Sequence, residues 1–278
     1  MKMKKVSKKF LISLAVLIAL ALFFLVLPLF AETVPASLAV CQHIENAPEL
    51  VAHRGFSSIY PENTIPAFEG AAEAGFWGAE CDIHTTKDGK WVVIHDDEIS
   101  HHTNGEGEIE EMTFDELMKF SVDNGKGIEK YGTLPIPTLE EYLDVCVKGN
   151  IVPVIEIKKC ETKYLPSLKK TIDEYGLSEK AVFISFTAEY LTEYRNLDEN
   201  AAILFLKSTP TKEDIDFCIE NNFGINYLFT NYYKAASAIN YARKNNVPIG
   251  VWTVDHTICA DAHALLGADF ITTNKIKP

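Results

Sequence analysis

The fold of this chain is constrained most by a regular alternation, from residue 49 onward, of short β-rich apolar runs with amphipathic stretches. The run LVAH at 50–53 precedes the helix-like TIPAFEGAAEAG, and VPVIEIK at 152–158 precedes YLPSLKKTIDEYG. Likewise AVFISF at 181–186 precedes TAEYLTEYRNL, and GINYLF at 224–229 precedes KAASAINYARKNN. Strands that alternate with helices indicate βαβ units and a parallel sheet. The sequence therefore predicts an α/β protein.

Two parallel α/β architectures are compatible with this pattern, an open doubly wound sheet and a closed (β/α)₈ barrel. No Gly-rich GxGxxG turn follows the first candidate strand, and about 230 residues is a typical barrel length. We therefore predict a TIM (β/α)₈-type barrel over residues 49–278. The chain holds nine candidate strands, one more than a barrel uses. They are 50–53, 78–84, 91–95, 152–158, 181–186, 202–206, 224–229, 247–254 and 269–273.

The surplus strand has a physical explanation in the short spacing of the second and third candidates. The residues between 78–84 and 91–95 are fewer than the 10–12 or so that a helical crossover between parallel strands needs. Asp88-Gly89, which lies between them, is a common turn signal. We predict that these two candidates form a hairpin or another step without a helix.

Residues 98–150 do not follow the alternation. They are polar and Gly-rich, and Thr113 and Thr138 are each followed three residues later by a glutamate. That spacing is the capping box that begins a helix. We predict that this segment, with two short helices, is a small insertion over the mouth of the barrel.

The N-terminus predicts attachment to a membrane. Residues 1–9 carry five lysines and no acid, and Phe10–Phe30 contains no charge over 21 residues. Such a run is long enough, as a helix, to cross about 30 Å of hydrocarbon. We predict a basic cytoplasmic tail over 1–9, a single transmembrane helix over 10–31, a linker over 32–48 and a folded domain outside the cytoplasm. A cleaved signal peptide is the alternative, and it would make the protein secreted.

Charge and cysteine content exclude several classes of function. The net charge of −13 argues against a nucleic-acid partner, because such proteins concentrate lysine and arginine on one face. An anionic ligand would have to be attracted by a few placed cations or a bound metal. The six cysteines are irregularly spaced and include no CxxC pair, so neither a zinc site nor a dithiol redox site is indicated.

Polar side chains gather where several predicted strands end. Residues two apart in a strand share a face, so the two acids of AECDI point the same way, as do the acid and the lysine of VIEIK. The carboxyl ends of barrel strands meet at one rim, which is where barrels place their active sites. The residues predicted to meet at this rim are His53, Glu80, Asp82, His95, Glu156 and Lys158.

Taken singly, these residues have ordinary explanations, such as a histidine at a strand end or a private Glu156–Lys158 salt bridge. Together, three carboxylates in apolar strands would repel and desolvate one another unless a cation neutralised them. An all-oxygen set suits a hard ion, Mg²⁺ or Ca²⁺, better than zinc. Arg54 and Lys158 supply cations for a phosphoryl group, and two histidines can act as general acid and base near neutral pH. This combination predicts cleavage of a phosphoester, and the chemistry by itself does not say which ester.

The order of the motifs resembles the glycerophosphodiester phosphodiesterase family over residues 50–274. The matching motifs are HRG (53–55), PENT (61–64), AF (67–68), ECD (80–82), TKDG (86–89), VIHDD (94–97), TNGEG (103–107), EIK (156–158), SF (185–186), VWTVD (251–255) and GADFITTN (267–274). Two positions depart from the family pattern. His101-His102 stands where an arginine-containing stretch is common before TNG, and Asn274 replaces a frequent aspartate.

The resemblance implies a role for each matching residue, and it implies a barrel with an inserted segment. It makes His53 and His95 the acid/base pair. It makes Glu80, Asp82 and Glu156 the ligands of a divalent metal ion, and Arg54 and Lys158 the phosphate contacts. Glu62, within PENT, would fix its loop. Trp252 would pack against the glycerol or alcohol portion of the substrate, or it would be a tryptophan of the barrel core.

We therefore expect a metal-dependent enzyme that hydrolyses a small-molecule phosphodiester, a glycerophosphodiester, to sn-glycerol 3-phosphate and an alcohol. Two nucleophiles are compatible with these residues: water, or a neighbouring hydroxyl of the glycerol, which would form a cyclic phosphate first. Phospholipase D-like or lysophospholipase D action on membrane lipids is the alternative activity. A non-catalytic binding module is the alternative from another class.

Overall fold

Eight parallel strands form a closed barrel in this protein, whose structure is a computed structural model that describes residues 34–35 and 47–278. Each strand pairs with its neighbours in chain order, and the last strand pairs with the first, with Thr273 opposite Ala52. The predicted barrel is therefore confirmed. Its strands are β1 (Glu49–Ala52), β2 (Gly78–Thr85), β3 (Val152–Lys159), β4 (Val182–Ser185), β5 (Ala202–Lys207), β6 (Gly224–Leu228), β7 (Ile249–Trp252) and β8 (Phe270–Thr273).

A helix follows each of the first seven strands before the chain enters the next one. The helices are α1 (Ile65–Ala74), α2 (Leu139–Gly149), α3 (Leu165–Glu174), α4 (Ala188–Leu197), α5 (Lys212–Asn221), α6 (Tyr232–Lys244) and α7 (Thr257–Leu265). The predicted capping box begins α2, since the Glu141 N–H donates to Thr138 Oγ1 at 3.2 Å and the Thr138 N–H donates to Glu141 Oε2 at 2.9 Å. These bonds satisfy backbone donors that the first turn of a helix leaves unpaired.

The surplus candidate strand forms a hairpin with β2, as the short spacing predicts. Trp91–Val93 pairs antiparallel with β2, with Val93 opposite Ile83. The turn is closed by a bond from the Gly89 N–H to the Thr86 carbonyl at 2.8 Å, and Gly89 has φ 77. A positive φ is open to glycine at little cost, so the Asp-Gly signal identified this turn correctly.

Side chains alternate along the strands between two hydrophobic cores. In β3, Ile155 and Ile157 pack against the surrounding helices, whereas Val154 lies in a second cluster inside the barrel. That interior cluster also contains Val51, Val182, Ile184, Leu204 and Leu206. By the same alternation Glu156 and Lys158 face the interior, above the apolar plug. Apolar side chains therefore fill the barrel interior, and polar side chains lie above them at the mouth.

The inserted segment has a small core of its own and lies against the loop that follows β1. Its buried residues include Ile99, Ile109, Leu117, Val122 and Ile136. A Cβ at Gly127 would come within 2.7 Å of the Ile59 carbonyl oxygen, so the two loops touch closely. The final part of the predicted insertion is α2, which belongs to the barrel. Its Tyr142 hydroxyl donates to the Ala79 carbonyl at 2.6 Å and accepts from the Val154 N–H at 3.1 Å.

The predicted membrane segment lies outside the described residues, as do the basic tail and most of the linker. Within 34–35 and 47–278, no helix combines the length and the apolar character that a membrane crossing requires. Val34–Pro35 pairs in parallel with Ile276–Lys277, so the chain before the barrel meets its C-terminal end.

Candidate active site

The residues predicted from the strand ends meet at the C-terminal mouth of the barrel. Seven of the nine predicted site residues line one pocket of about 80 Å³: His53, Arg54, Glu80, His95, Glu156, Lys158 and Trp252. The other two contact its wall, since both Asp82 and Glu62 form ion pairs with Arg54. The remaining lining residues are Ile184, Phe186, Leu206, Asn226 and Thr272. The pocket therefore has a charged wall from β1 to β3 and a mostly apolar wall from β4 to β8.

The two acids of β2 and the acid of β3 form one compact cluster. Each of Glu80, Asp82 and Glu156 offers a carboxylate oxygen, and these oxygens all lie within 4.8 Å of one another. Glu80 and Asp82 are only 2% and 1% exposed. Within the described part of the chain, these are the carboxylates that could hold a metal ion together. The mutual repulsion expected from the sequence is thus present.

The proton affinities of this cluster reflect burial and crowding. Burial raises the pKa of Glu80 well above its ordinary value, and the charges of Asp82 and Glu156 raise it further. Burial, followed by the charge of Asp82, raises the pKa of Glu156 to about 7. Burial would also raise the pKa of Asp82, but the charges of Arg54, His95 and Lys158 outweigh it and lower that pKa. A cation placed among the three carboxylates would relieve the repulsion that raises the pKa values of Glu80 and Glu156.

The two predicted phosphate contacts are tied to these acids. The Arg54 backbone N–H donates to Glu80 Oε2 at 2.8 Å, and its guanidinium contacts Glu62 Oε1 at 2.7 Å and Asp82 Oδ2 at 3.3 Å. Lys158 Nζ lies 3.1 Å from Glu156 Oε1 and 3.8 Å from Asp82 Oδ1. Because Lys158 is shared between two carboxylates, its contact with Glu156 is not a private salt bridge. Both cations are placed beside the same cavity.

His53 is held in one tautomer by a chain of two residues that the sequence reading did not select. Its Nδ1 lies 2.9 Å from Asn274 Oδ1. Asn274 is oriented in turn by Asp255, whose carboxylate accepts the Asn274 Nδ2–H at 3.0 Å and the Asn274 backbone N–H at 2.8 Å. A carboxylate only accepts, so the amide oxygen must face the imidazole and Nδ1 must carry the proton. The Nε2 of His53 is left as the basic nitrogen.

His95 has a different partner. Its Nδ1 lies 2.6 Å from Asp96 Oδ1, and its Nε2 lies 3.2 Å from Lys158 Nζ. A carboxylate stabilises a protonated imidazole more than an amide does. By contrast, burial and the charge of Arg54 lower the pKa of His53, which keeps that ring neutral near pH 7. The two histidines therefore differ in the partner of Nδ1, which is an amide oxygen for His53 and a carboxylate for His95.

The PENT loop positions Asp82 through a residue that the sequence analysis missed. Asn63 Nδ2 donates to Asp82 Oδ2 at 2.8 Å, and Asn63 Oδ1 accepts from the Asp82 N–H at 3.2 Å. Asn63 has φ 54, a left-handed conformation that asparagine tolerates better than most residues. The loop enters from Gly55, where φ is 75 and a Cβ would lie 2.6 Å from the Ala67 backbone. HRG and PENT thus shape one loop around the acid cluster.

Trp252 lies both at the barrel core and at the pocket, the two positions that were considered from the sequence. Its ring packs against the interior cluster of the barrel, and it also lines the pocket. Phe186 meets it edge to face, with ring centroids 5.7 Å apart, and is 47% exposed. An aromatic surface of this kind suits the carbon skeleton of a ligand.

The crowded carboxylates predict an unusual dependence of stability on pH in the metal-free protein. The folded pKa of Glu156 is about 7 against an ordinary 4.5, so the folded state binds more protons than the unfolded chain in that interval. The free energy of unfolding should therefore fall as pH rises from about 4.5 to 7, by up to a few kcal/mol. Calorimetric Tm values in EDTA between pH 5 and 8 should show this decline.

The variant Glu156→Gln provides the control for this stability measurement. It removes one titrating group, so its Tm should fall less over the same pH interval. His53 works in the opposite sense, because its lowered pKa makes stability rise with pH, and it is unchanged in the variant. Identical dependences of Tm on pH for the two proteins would contradict the raised pKa of Glu156.

Comparison with known proteins agrees with this geometry. The model of the Glycerophosphoryl diester phosphodiesterase family matches residues 53–277. The glycerophosphodiester phosphodiesterase of Caldanaerobacter subterraneus subsp. tengcongensis is 31% identical over 230 residues, which cover 81% of this chain and 93% of that protein.

Solved structures share the fold. A glycerophosphodiester phosphodiesterase from Parabacteroides distasonis superposes with a TM-score of 0.70 at 26% identity, over 82% of this chain and 92% of that one. An Oleispira antarctica phosphodiesterase in complex with the product sn-glycerol-3-phosphate superposes with a TM-score of 0.74 at 23% identity, over 82% and 93%. The range matched by the family model contains all nine predicted site residues and almost the whole barrel. The chain therefore belongs to the glycerophosphoryl diester phosphodiesterase family, a family of phosphoric diester hydrolases.

Proposed function

We propose that this protein hydrolyses glycerophosphodiesters to sn-glycerol 3-phosphate and an alcohol, with a divalent metal ion and two histidines at the reacting phosphate. The observation that carries the proposal is the acid cluster of the barrel mouth, flanked within one pocket by Arg54, Lys158 and the two histidines. Family membership supports it, because the relative from Caldanaerobacter subterraneus subsp. tengcongensis, which covers 81% of this chain, is named for that activity.

The donor set fits a hard divalent cation. All three candidate ligands are carboxylates, the oxygen donors that Mg²⁺ and Ca²⁺ prefer. The raised pKa values of Glu80 and Glu156 reflect burial and, after it, the charges of the neighbouring carboxylates, which such an ion would neutralise. When bound, the ion would act as a Lewis acid toward the phosphoryl oxygens. Arg54 and Lys158 would stabilise the remaining charge on the phosphate.

The surroundings of the histidines support distinct roles for them. His53 is held neutral with Nε2 as its basic nitrogen, which suits removal of a proton from the nucleophile. His95 has a carboxylate partner on Nδ1, which suits the protonated form that gives its proton to the departing alkoxide. Lys158 now donates to the Nε2 of His95. A bound phosphoryl group would attract Lys158 and free this nitrogen.

The shape of the pocket favours a small diester over a lipid. A cavity of about 80 Å³ with one charged wall suits a phosphate and a short polar substituent. An acyl chain would need a longer apolar groove, and the inserted segment beside the mouth places polar groups there, with His102 Nε2 3.6 Å from Glu62 Oε1. Phospholipase D-like action is therefore the less favoured activity.

Product identification tests this function. The full-length protein, incubated with glycerophosphocholine and Mg²⁺, is expected to release sn-glycerol 3-phosphate and choline, followed by ³¹P NMR and a coupled choline assay. Transient appearance of a cyclic glycerophosphate would assign the substrate's own hydroxyl as the nucleophile. Release of phosphocholine and glycerol, or no turnover with either Mg²⁺ or Ca²⁺, would contradict the proposal.

A further inference from the structure

The apolar wall of the pocket contains two buried polar atoms without a partner. Across the described residues, Asn226 Oδ1 and Trp252 Nε1 are both enclosed and make no hydrogen bond, and both side chains line the pocket. Asn226 is 5% exposed. Buried polar groups in folded proteins are nearly always paired, so unpaired ones in a ligand pocket need an explanation.

Asn226 occupies a place that the barrel makes for it. In the β-sheet register it stands between Leu206 of β5 and Gly250 of β7. A Cβ at Gly250 would lie 2.8 Å from both Cγ and Oδ1 of Asn226, so the glycine leaves room for the carboxamide. Leu206 belongs to the apolar interior cluster and offers no hydrogen bond. The amide oxygen is therefore enclosed by groups that cannot satisfy it.

The missing partners have a definite chemistry. An amide oxygen only accepts, so Asn226 Oδ1 needs a donor, and a phosphodiester anion has none to offer. An indole N–H only donates, so Trp252 Nε1 needs an acceptor. A hydroxyl group is both donor and acceptor. A quaternary ammonium headgroup is neither, and a primary ammonium could not accept from the indole. The pair thus matches O–H groups, which either a water or the free hydroxyl groups of a polyol can supply.

We propose that Asn226 is a specificity-determining residue that binds a free hydroxyl of the glycerol portion of the substrate, with Trp252 Nε1 as the complementary donor. The inference rests on the proposed function, in which the charged wall of the pocket binds the phosphate and the opposite wall binds the glycerol. A site built to hydrogen-bond a hydroxyl rejects the analogue that lacks it, since its own polar groups are left unpaired.

Ligand binding tests this assignment without turnover. Calorimetric titrations with Mg²⁺ present would compare sn-glycerol 3-phosphate with n-propyl phosphate, which has the same phosphate and carbon chain but no hydroxyl. The wild-type protein is expected to bind sn-glycerol 3-phosphate about 5- to 150-fold more tightly. In Asn226→Leu this ratio should fall by at least about fivefold, while the affinity for n-propyl phosphate stays within about twofold. An unchanged ratio in the variant, or no preference in the wild type, would overturn the inference.

Two controls separate this role from general damage to the pocket. Leu206→Val perturbs the neighbouring apolar position and should weaken the binding of both ligands by the same factor. The ratio of the two affinities should therefore stay at the wild-type value. Trp252→Phe keeps an aromatic ring without the N–H and should lower the ratio as Asn226→Leu does. Thermal unfolding establishes that each variant is folded, and a failure of Asn226→Leu to fold leaves Trp252→Phe to decide the question by the same ratio.

The turnover of glycerophosphocholine by the wild-type protein is measured in parallel. If the protein prefers sn-glycerol 3-phosphate but does not hydrolyse the diester, the proposed function fails and the hydroxyl site stands. If it hydrolyses the diester and Asn226→Leu keeps the wild-type binding ratio, the hydroxyl site fails and the proposed function stands.

Discussion

Alanine in place of His53 or His95 is expected to lower kcat on glycerophosphocholine by about 10²–10⁴, the usual contribution of general acid–base catalysis. Mg²⁺ affinity should stay nearly unchanged, because neither imidazole belongs to the carboxylate cluster. His53→Ala leaves Asn274 Oδ1 with its bond from the Ser57 hydroxyl at 2.9 Å, so the loop has no new unpaired group. Steady-state rates and calorimetric Mg²⁺ titrations on the same preparations give the comparison.

His101→Ala is the matched control for these variants. This histidine also contacts Asp96, with Nδ1 3.0 Å from Oδ2, but it is largely exposed and lies outside the pocket lining. Its loss should change kcat by less than about threefold, since exposed polar contacts contribute little. If His53→Ala lost the metal while keeping the wild-type rate at saturating Mg²⁺, the histidine would be a ligand and not a proton carrier.

The grouping of most site residues could be predicted because it follows from the residue pattern within individual strands. Glu80 and Asp82 share a face by the two-residue period of a strand, and barrel topology then brings them to Glu156. The capping box at Thr138 marked the start of α2 correctly. It does not show that α2 packs on the barrel, because that depends on Tyr142 reaching backbone atoms of β2 and β3.

The residues that were missed act through contacts between distant parts of the chain. In the sequence, Asn63 is only one residue of the PENT motif. Its role depends on its left-handed backbone conformation, which directs the side-chain amide toward Asp82. Asn226 sits in GINYLF, which reads as an ordinary strand. Its significance comes from Gly250 on the neighbouring strand, which leaves room for its side chain, and from its Oδ1, which has no hydrogen-bond partner among the residues that the structure describes. The residue pattern of a single segment cannot predict such contacts, because each one joins residues from two distant segments.

Removing one carboxylate from the acid cluster should have opposite effects on catalysis and on the stability of the metal-free protein. At limiting Mg²⁺, Glu80→Gln is expected to lower kcat/KM by at least about 10³-fold, because a bound ion contributes several kcal/mol of charge stabilisation to the transition state. Excess Mg²⁺ should recover part of the rate. In EDTA the same variant should unfold at a higher temperature than the wild type at pH 8, since burial and the neighbouring carboxylates raise the pKa of Glu80 and thereby cost the folded wild type stability at that pH, whereas glutamine does not ionise.

Glu62→Gln is the matched control, because it alters a carboxylate of the same mouth that contacts Arg54 but lies outside the metal cluster. It should keep the Mg²⁺ affinity of the wild type and gain no stability in EDTA. Calorimetric titration and thermal unfolding of the three proteins, alongside their rates, complete the test. The two effects of Glu80→Gln share one cause, a carboxyl group that is buried beside two other carboxylates and that a cation would stabilise in its ionised form. A Glu80→Gln protein with wild-type Mg²⁺ affinity and wild-type Tm in EDTA would show that the folded protein does not raise the pKa of this carboxyl and that it does not hold the ion, and the metal site would have to be rebuilt without it.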